Sequence, residues 1–200
     1  MRLILCSAGL GALGAWVAEH LGDHRRVAFV DIAAAPLPCR DFVDECRAAL
    51  VSIGCTVEAL DLTRLETARL AERLELSDAV FVSGGYPIYL LEWARRSGFL
   101  ARVGDAVRDG SLAYIGVSAG AALAGPSMEP LAAPDDPGDV SDYAALGLVD
   151  FVVLAHVDRY PSGLVEARLR DWEARVDLRP LADDRALVVT EGRVHEVDSA

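Results

Sequence analysis

The stretch Leu112–Ala124, LAYIGVSAGAALA, constrains this chain more than any other. An apolar, β-branched run from Leu112 to Val117 stops at a serine fenced by glycines, and small residues follow. Gly116-Val117-Ser118-Ala119-Gly120 fits G-x-S-x-G, the pattern of a nucleophile elbow, in which a serine stands exposed on a tight strand-to-helix turn. Glycine has no Cβ, so strand and helix can approach closely around strained backbone. A helix beginning after Ser118 aims free N–H groups and the positive end of its dipole at the turn, which suits a developing oxyanion. The same residues also fit a plain glycine-alanine turn in which Ser118 caps a helix. The rest of the chain must decide.

The flanking pattern favours the first reading. Short apolar runs at Arg2–Cys6, Val27–Val30, Thr56–Leu60, Asp78–Val82 and Leu112–Val117 read as strands. Between them, Asp41–Ile53 and Leu62–Leu76 read as amphipathic helices, the second with Leu62, Leu65, Leu70 and Leu74 inward. Ile88–Arg96 follows Pro87 as a helix closed by Gly98, and Phe99–Asp109 is another, ended by Gly110. This alternation predicts an α/β fold, a mostly parallel sheet with helices on both faces in one three-layer domain spanning 1–200. Ligands of such sheets bind outside the carboxyl ends of the strands. Gly84-Gly85 and Gly116–Gly120 both fall at predicted carboxyl ends, so they are expected to meet at one crevice. Further on, Gly125–Asp142 reads as a long loop on the serine's side, Leu148–Ala155 as a strand, Gly163–Val176 as a surface helix, and Arg185–Thr190 and Arg193–Val197 as closing strands.

Composition narrows the class. A formal charge of −12 argues against nucleic-acid binding and against anionic membrane surfaces. No apolar run approaches a membrane span, and the N-terminal run is too short for a signal peptide, so a cytoplasmic protein is expected. Cys6, Cys39, Cys46 and Cys55 form no C-x-x-C and no zinc spacing, and free, mostly buried thiols are expected, with neither metal nor cofactor. The sequence leaves a homodimer open.

One motif points elsewhere. Gly9-Leu10-Gly11-Ala12-Leu13-Gly14 is a literal G-x-G-x-x-G between a strand and a plausible helix (Ala15–Leu21), and Asp31 ends the next strand. That is the outline of a dinucleotide-binding unit. Against it, the first glycine stands three residues past the last clear apolar residue of the strand, where the fingerprint needs it almost at the strand end.

A serine nucleophile needs a base. Of the four histidines, His20 and His24 flank the first helix in polar sequence and His195 alternates within a terminal strand, so all three read as surface residues. His156 differs, because it follows a buried strand at its expected carboxyl end, where Ser118 also lies. A third group must hold the other imidazole nitrogen. Asp135 and Asp136 in the long loop are candidates, as are Asp142, Asp150 and Asp158.

Val82-Ser83-Gly84-Gly85 running into Tyr89-Leu90-Leu91, Tyr114–Gly120, Gly125-Pro126-Ser127, and Gly147-Leu148-Val149-Asp150-Phe151 running into His156 together resemble the dipeptidase E and cyanophycinase family of serine peptidases, whose fold is similar to class I glutamine amidotransferases. The resemblance covers nearly the whole chain. It implies Ser118 as nucleophile, His156 as general base, an acid just before a proline that matches Asp135 better than Asp136, and oxyanion donors at the Gly85 and Ala119 amides. It also implies hydrolysis of short peptides, with dipeptides bearing amino-terminal aspartate as the family's taste and Arg159 as a candidate partner for that carboxylate. Two departures stand out: Tyr86-Pro87 where the family usually has Asn-Thr, and Ala155-His156-Val157 where it usually has Pro-His-Tyr. The expected function is therefore a serine peptidase acting through a Ser-His-Asp triad. The alternatives are a non-catalytic family member and a dinucleotide-binding protein using Gly9–Gly14.

Overall fold

Apolar runs too short for helices build the centre of the molecule. β1 (Arg2–Cys6), β2 (Arg26–Val30), β3 (Thr56–Ala59), β4 (Ala79–Val82) and β5 (Ala113–Val117) lie parallel in one sheet. The antiparallel hairpin of β8 (Arg185–Thr190) and β9 (Arg193–Asp198) extends it beyond β1, giving the order β3-β2-β4-β5-β1-β8-β9. A separate parallel pair, β6 (Phe151–Ala155) and β7 (Asp177–Leu181), stands apart from that sheet. The structure, a computed structural model, describes residues 1–23, 25–64 and 67–200.

Side chains alternate across the sheet as the pleat requires. Ile4, Cys6, Phe29, Phe81 and Ile115 face one way, covered by α1 (Leu13–His20) and α2 (Asp41–Ser52) through Trp16, Val17, Val43, Cys46 and Leu50. Leu3, Leu5, Val30, Val82 and Tyr114 face the other way. There α3 (Thr67–Glu75), α4 (Pro87–Arg96), α5 (Phe99–Asp109), α6 (Ala119–Leu123) and the β6–β7 pair cover them. Each fully buried Leu, Ile, Val or Phe on these faces is worth about 1.5–3 kcal/mol. The expected three-layer α/β architecture is thus present. α7 (Ser162–Trp172) buries no residue fully and lies against the outside of this assembly. Among the described residues, no helix is long and apolar enough to cross a membrane.

Several boundaries move for local reasons. Leu70 and Leu74 are buried as expected, and Leu62 is buried in a turn ahead of α3; Leu65 and His24 lie outside the described residues. The strand expected from Leu148 starts at Phe151. His20, expected on the surface, is largely covered, its ring edge-on to Trp16. β7 was not anticipated, because Pro180 within Asp177–Leu181 argues against a strand; it is tolerated at the edge of a two-stranded sheet.

The glycine run at residues 9–14 does not make a nucleotide site. A Cβ on Gly9 would lie 1.9 Å from the Ser199 carbonyl oxygen, and one on Gly11 2.1 Å from that of Ala200. The Ser199 hydroxyl donates to the Gly9 carbonyl at 2.8 Å, and the Gly11 amide donates to the Ser199 carbonyl at 3.2 Å. Residues 199–200 therefore occupy the cradle in which a pyrophosphate would sit. Asp31, the would-be ribose ligand, is paired with Arg40 at 2.6 Å. The glycines serve close packing of two backbone segments. Gly9→Ala is accordingly expected to destabilise the fold by about 1–3 kcal/mol, read as a lowered denaturant midpoint, while NAD leaves wild-type melting unchanged. A shift in melting with NAD would return the loop to cofactor binding.

Candidate active site

The turn after β5 is built around absent side chains. A Cβ on Gly116 would lie 2.5 Å from the Gly120 carbonyl oxygen, and one on Gly120 would lie 2.1 Å from that of Val82 at the end of β4. Strand β5, helix α6 and strand β4 thus touch backbone to backbone. The buried Tyr114 hydroxyl donates to the Gly120 carbonyl at 2.7 Å, satisfying an acceptor that the packing removes from water. Between these contacts Ser118 adopts φ 51°, ψ −110°, a conformation that costs a non-glycine residue on the order of 1–3 kcal/mol. Its amide donates to the Cys6 carbonyl at 2.9 Å and its carbonyl accepts from Ala122 at 3.0 Å. Ser118 is therefore a strained residue between strand and helix, and it is not a simple helix cap: its side chain makes no capping bond.

The hydroxyl instead meets His156. Ser118 Oγ lies 2.8 Å from His156 Nε2, and His156 Nδ1 lies 2.6 Å from Asp183 Oδ1. With Nδ1–H donated to the carboxylate, Nε2 is left as the acceptor for the serine O–H. His156 stands just past β6 with φ 61°, another left-handed non-glycine residue. Asp183 stands just past β7. Because β6 and β7 pair in parallel with Ala155 opposite Leu181, the first residue past β6, His156, and the second past β7, Asp183, come to the same place. The Arg159 Nε–H donates to Asp183 Oδ2 at 2.5 Å. Partial burial works against the Asp183 charge, but the hydrogen bonds from His156 and Arg159 outweigh it and hold the carboxyl below its ordinary range.

This arrangement corrects two expectations. Asp135 is not the carboxylate that reaches His156; it is exposed in the 125–142 loop. Its neighbour Asp136 is a helix cap from a distance, accepting from the Ile88 and Tyr89 amides at 2.8 and 3.0 Å and from Gly138 at 2.9 Å. Those two amides belong to the first turn of α4, where N–H groups lack intrahelical partners and a negative charge is favoured. Arg159, expected to face substrate, is engaged by Asp183. The residue missed by sequence reasoning is Asp183. The available signal is an acidic pair, Asp183-Asp184, two residues past a strand beside the one that leads into His156, and it is hidden with β7.

Ser118 and His156 open onto a cavity of about 310 Å³ that Gly85 and Ala119 also line. Gly85 has φ 137°, and a Cβ there would lie 2.2 Å from the Ala33 carbonyl oxygen, so the position demands glycine. Ala119 is the first residue of α6, whose N–H has no intrahelical acceptor. The two glycine-rich breaks therefore converge, as expected. Leu131 and Ala133 from the long loop form one wall, and Tyr160, Leu164 and Arg168 another. Arg168 of α7 donates to the Pro130 carbonyl, and in the turn after α7 one Arg175 nitrogen, Nη2, donates to both Glu129 carboxylate oxygens at 2.9 Å, tying this end of the chain segment to that loop. All four cysteines are free. Burial pushes the Cys6 thiol up to about 12 and the Cys46 thiol to about 11, which leaves both inert as nucleophiles.

Comparison with known proteins agrees with the fold and extends it. The sequence profile described as Peptidase family S51 matches residues 4–197. An uncharacterized peptidase of Pasteurella multocida, PM1590, is 26% identical over 84% of this chain and 82% of its own length. Peptidase E of Salmonella arizonae is 30% identical over 78% of this chain and 69% of its own length. A crystal structure from Listeria monocytogenes EGD-e, of a protein assigned as a peptidase E, superposes with a TM-score of 0.85 at 23% identity, covering 100% of this chain and 98% of that one. The chain belongs to peptidase family S51 and is a serine-type peptidase.

Proposed function

We propose that this peptidase hydrolyses short peptides through a Ser118–His156–Asp183 triad, with amino-terminal aspartyl dipeptides as its preferred class. The continuous hydrogen-bonded line from Ser118 Oγ through both imidazole nitrogens to Asp183 carries the reading. His156 takes the serine proton as Oγ attacks the scissile carbonyl, and the imidazolium that forms is stabilised by the Asp183 carboxylate. The Gly85 and Ala119 amides hold the developing oxyanion. His156 then returns the proton to the leaving amine, and water clears the acyl-enzyme by the same route. A cavity of about 310 Å³ stands at the small end of ligand sites and suits a short peptide. Arg168, which lines it, is the cation placed to take an acidic side chain. Tyr86 and Pro87, which replace the family's small polar pair, border the same mouth through Pro87.

Labelling with a fluorophosphonate, followed by mass mapping, tests the reading. Adduct is expected on Ser118 in wild type and none in Ser118→Ala or His156→Ala; labelling that survives Ser118→Ala would sink it. Asp183→Asn is expected to lower kcat by on the order of 10³–10⁴-fold, whereas Asp135→Asn leaves turnover unchanged, and the reverse result would restore Asp135. Because the Asp183 carboxyl is held low, its contribution to stability is complete above the ordinary carboxylate range. It is lost as the pH falls through the depressed value. Asp183→Asn should therefore lower stability at neutral pH and flatten its fall in acid, as measured by denaturant titration. Arg168→Gln is expected to cut kcat/KM for Asp-X dipeptides about ten-fold or more relative to Ala-X dipeptides; equal losses on both would remove Arg168 from selectivity.

A further inference from the structure

Ser7 is the residue after β1, and it is fully buried. Its hydroxyl accepts from the His156 amide at 2.8 Å, and lies 3.1 Å from the Leu181 carbonyl oxygen and 3.3 Å from Asp183 Oδ1. A hydroxyl has one proton, so those two acceptors share it or compete for it. The Ser7 amide donates to the Arg185 carbonyl at 3.2 Å, on the far side of the turn that holds Asp183. One residue earlier, the Cys6 carbonyl holds the Ser118 amide at 2.9 Å. The dipeptide Cys6-Ser7 thus touches all three members of the triad.

We propose that Ser7 is a positioning residue for the triad, its hydroxyl fixing His156 in its left-handed backbone conformation and holding the Asp183 turn against it. This inference rests on the hydrolase reading above and adds a fourth side chain to it. His156 has no glycine-like freedom at φ 61°, so its surroundings must impose that conformation. The Ser7 bond is the one that grips its amide. A displacement at the His156 Cα moves both ring nitrogens together, away from Ser118 and Asp183 at once. Ser7 is not among the residues lining the cavity. Its loss is therefore felt in the chemical step and not in substrate binding.

The test is Ser7→Ala, with Ser7→Cys as the near-isosteric partner whose thiol is a weak hydrogen-bonding group. In folded Ser7→Ala, kcat for an Asp-X dipeptide is expected to fall about ten- to a hundred-fold with KM nearly unchanged. Fluorophosphonate labelling of Ser118 should slow by the same factor. The far-downfield proton resonance of the His156 Nδ1–H to Asp183 bond should shift or broaden. Ser7→Cys is expected to fall between the two and carries the test if the alanine variant does not fold. Wild-type labelling and an unmoved resonance in a folded variant would overturn the inference and leave the hydrolase reading intact. Absence of labelling in wild type would instead overturn the hydrolase reading, and the resonance would still decide whether Ser7 seats His156 on Asp183.

Discussion

A strained serine can persist only where its neighbours leave it no alternative, and here the neighbours are backbone. Gly116, Gly120 and Gly84 bring β5, α6 and the end of β4 so close that Ser118 has no room to relax; a Cβ on Gly84 would already lie 3.1 Å from the Ser118 Cβ. The strain is offset by burial elsewhere, since β4, β5 and α6 are among the most completely buried segments of the chain. Stability in the centre of the sheet is thus what keeps a reactive hydroxyl aimed outward at its edge. The parallel pairing of β1 with β5 adds the second constraint, because it places Cys6 opposite Val117 and so brings the end of β1 to the same turn.

The residues that the proposed reading makes base and acid, His156 and Asp183, come from a different piece of structure. β6 and β7 are not part of the main sheet, yet their parallel register sets His156 and Asp183 side by side, and both then reach back to the end of β1 through Ser7. The site is an assembly of strand ends: β4 supplies Gly84-Gly85, β5 Ser118, β6 His156, β7 Asp183 and β1 the residues between them. This explains why the carboxyl edge of the sheets, and not any single loop, holds the chemistry. It also explains the glycine-rich turn at residues 9–14. That turn begins two residues after Ser7, and its Gly9 amide donates to the Asp183 carbonyl at 2.7 Å, so it packs between residues 199–200 and the turn that holds Asp183.

Much of this was legible in the sequence, and the exceptions have physical causes. The alternation of apolar runs and amphipathic helices specifies the layers because its two periods differ, and the elbow is readable because only glycine permits its contacts. His156 is legible because it follows a buried strand at its carboxyl end, where Ser118 also lies. Asp183 is not, since the strand that presents it contains Pro180, which argues against a strand. The family resemblance points to Asp135, because it places the acid in a loop just before a proline; in space Asp135 is exposed and its neighbour Asp136 satisfies a helix start. Sequence spacing identifies what a carboxylate could do, but only the fold selects which helix or histidine it meets.

Charge sets the final constraint. A chain with a formal charge of −12 surrounds itself with a field that disfavours anionic ligands at long range. On the proposed reading, selectivity for an acidic side chain must therefore be created locally, by a cation within contact distance of the substrate in the cavity. Arg159 is not among the residues lining the cavity, and its Nε–H is engaged by Asp183. Arg168 can supply that cation, since it lines the cavity while its bond to Pro130 fixes its direction. The Arg175–Glu129 pair fastens the turn after that helix to the same loop. On the proposed reading the two arginines divide the positive charge of this site: Arg159 holds the Asp183 carboxyl ionised, and Arg168 is the cation for the substrate's acidic side chain.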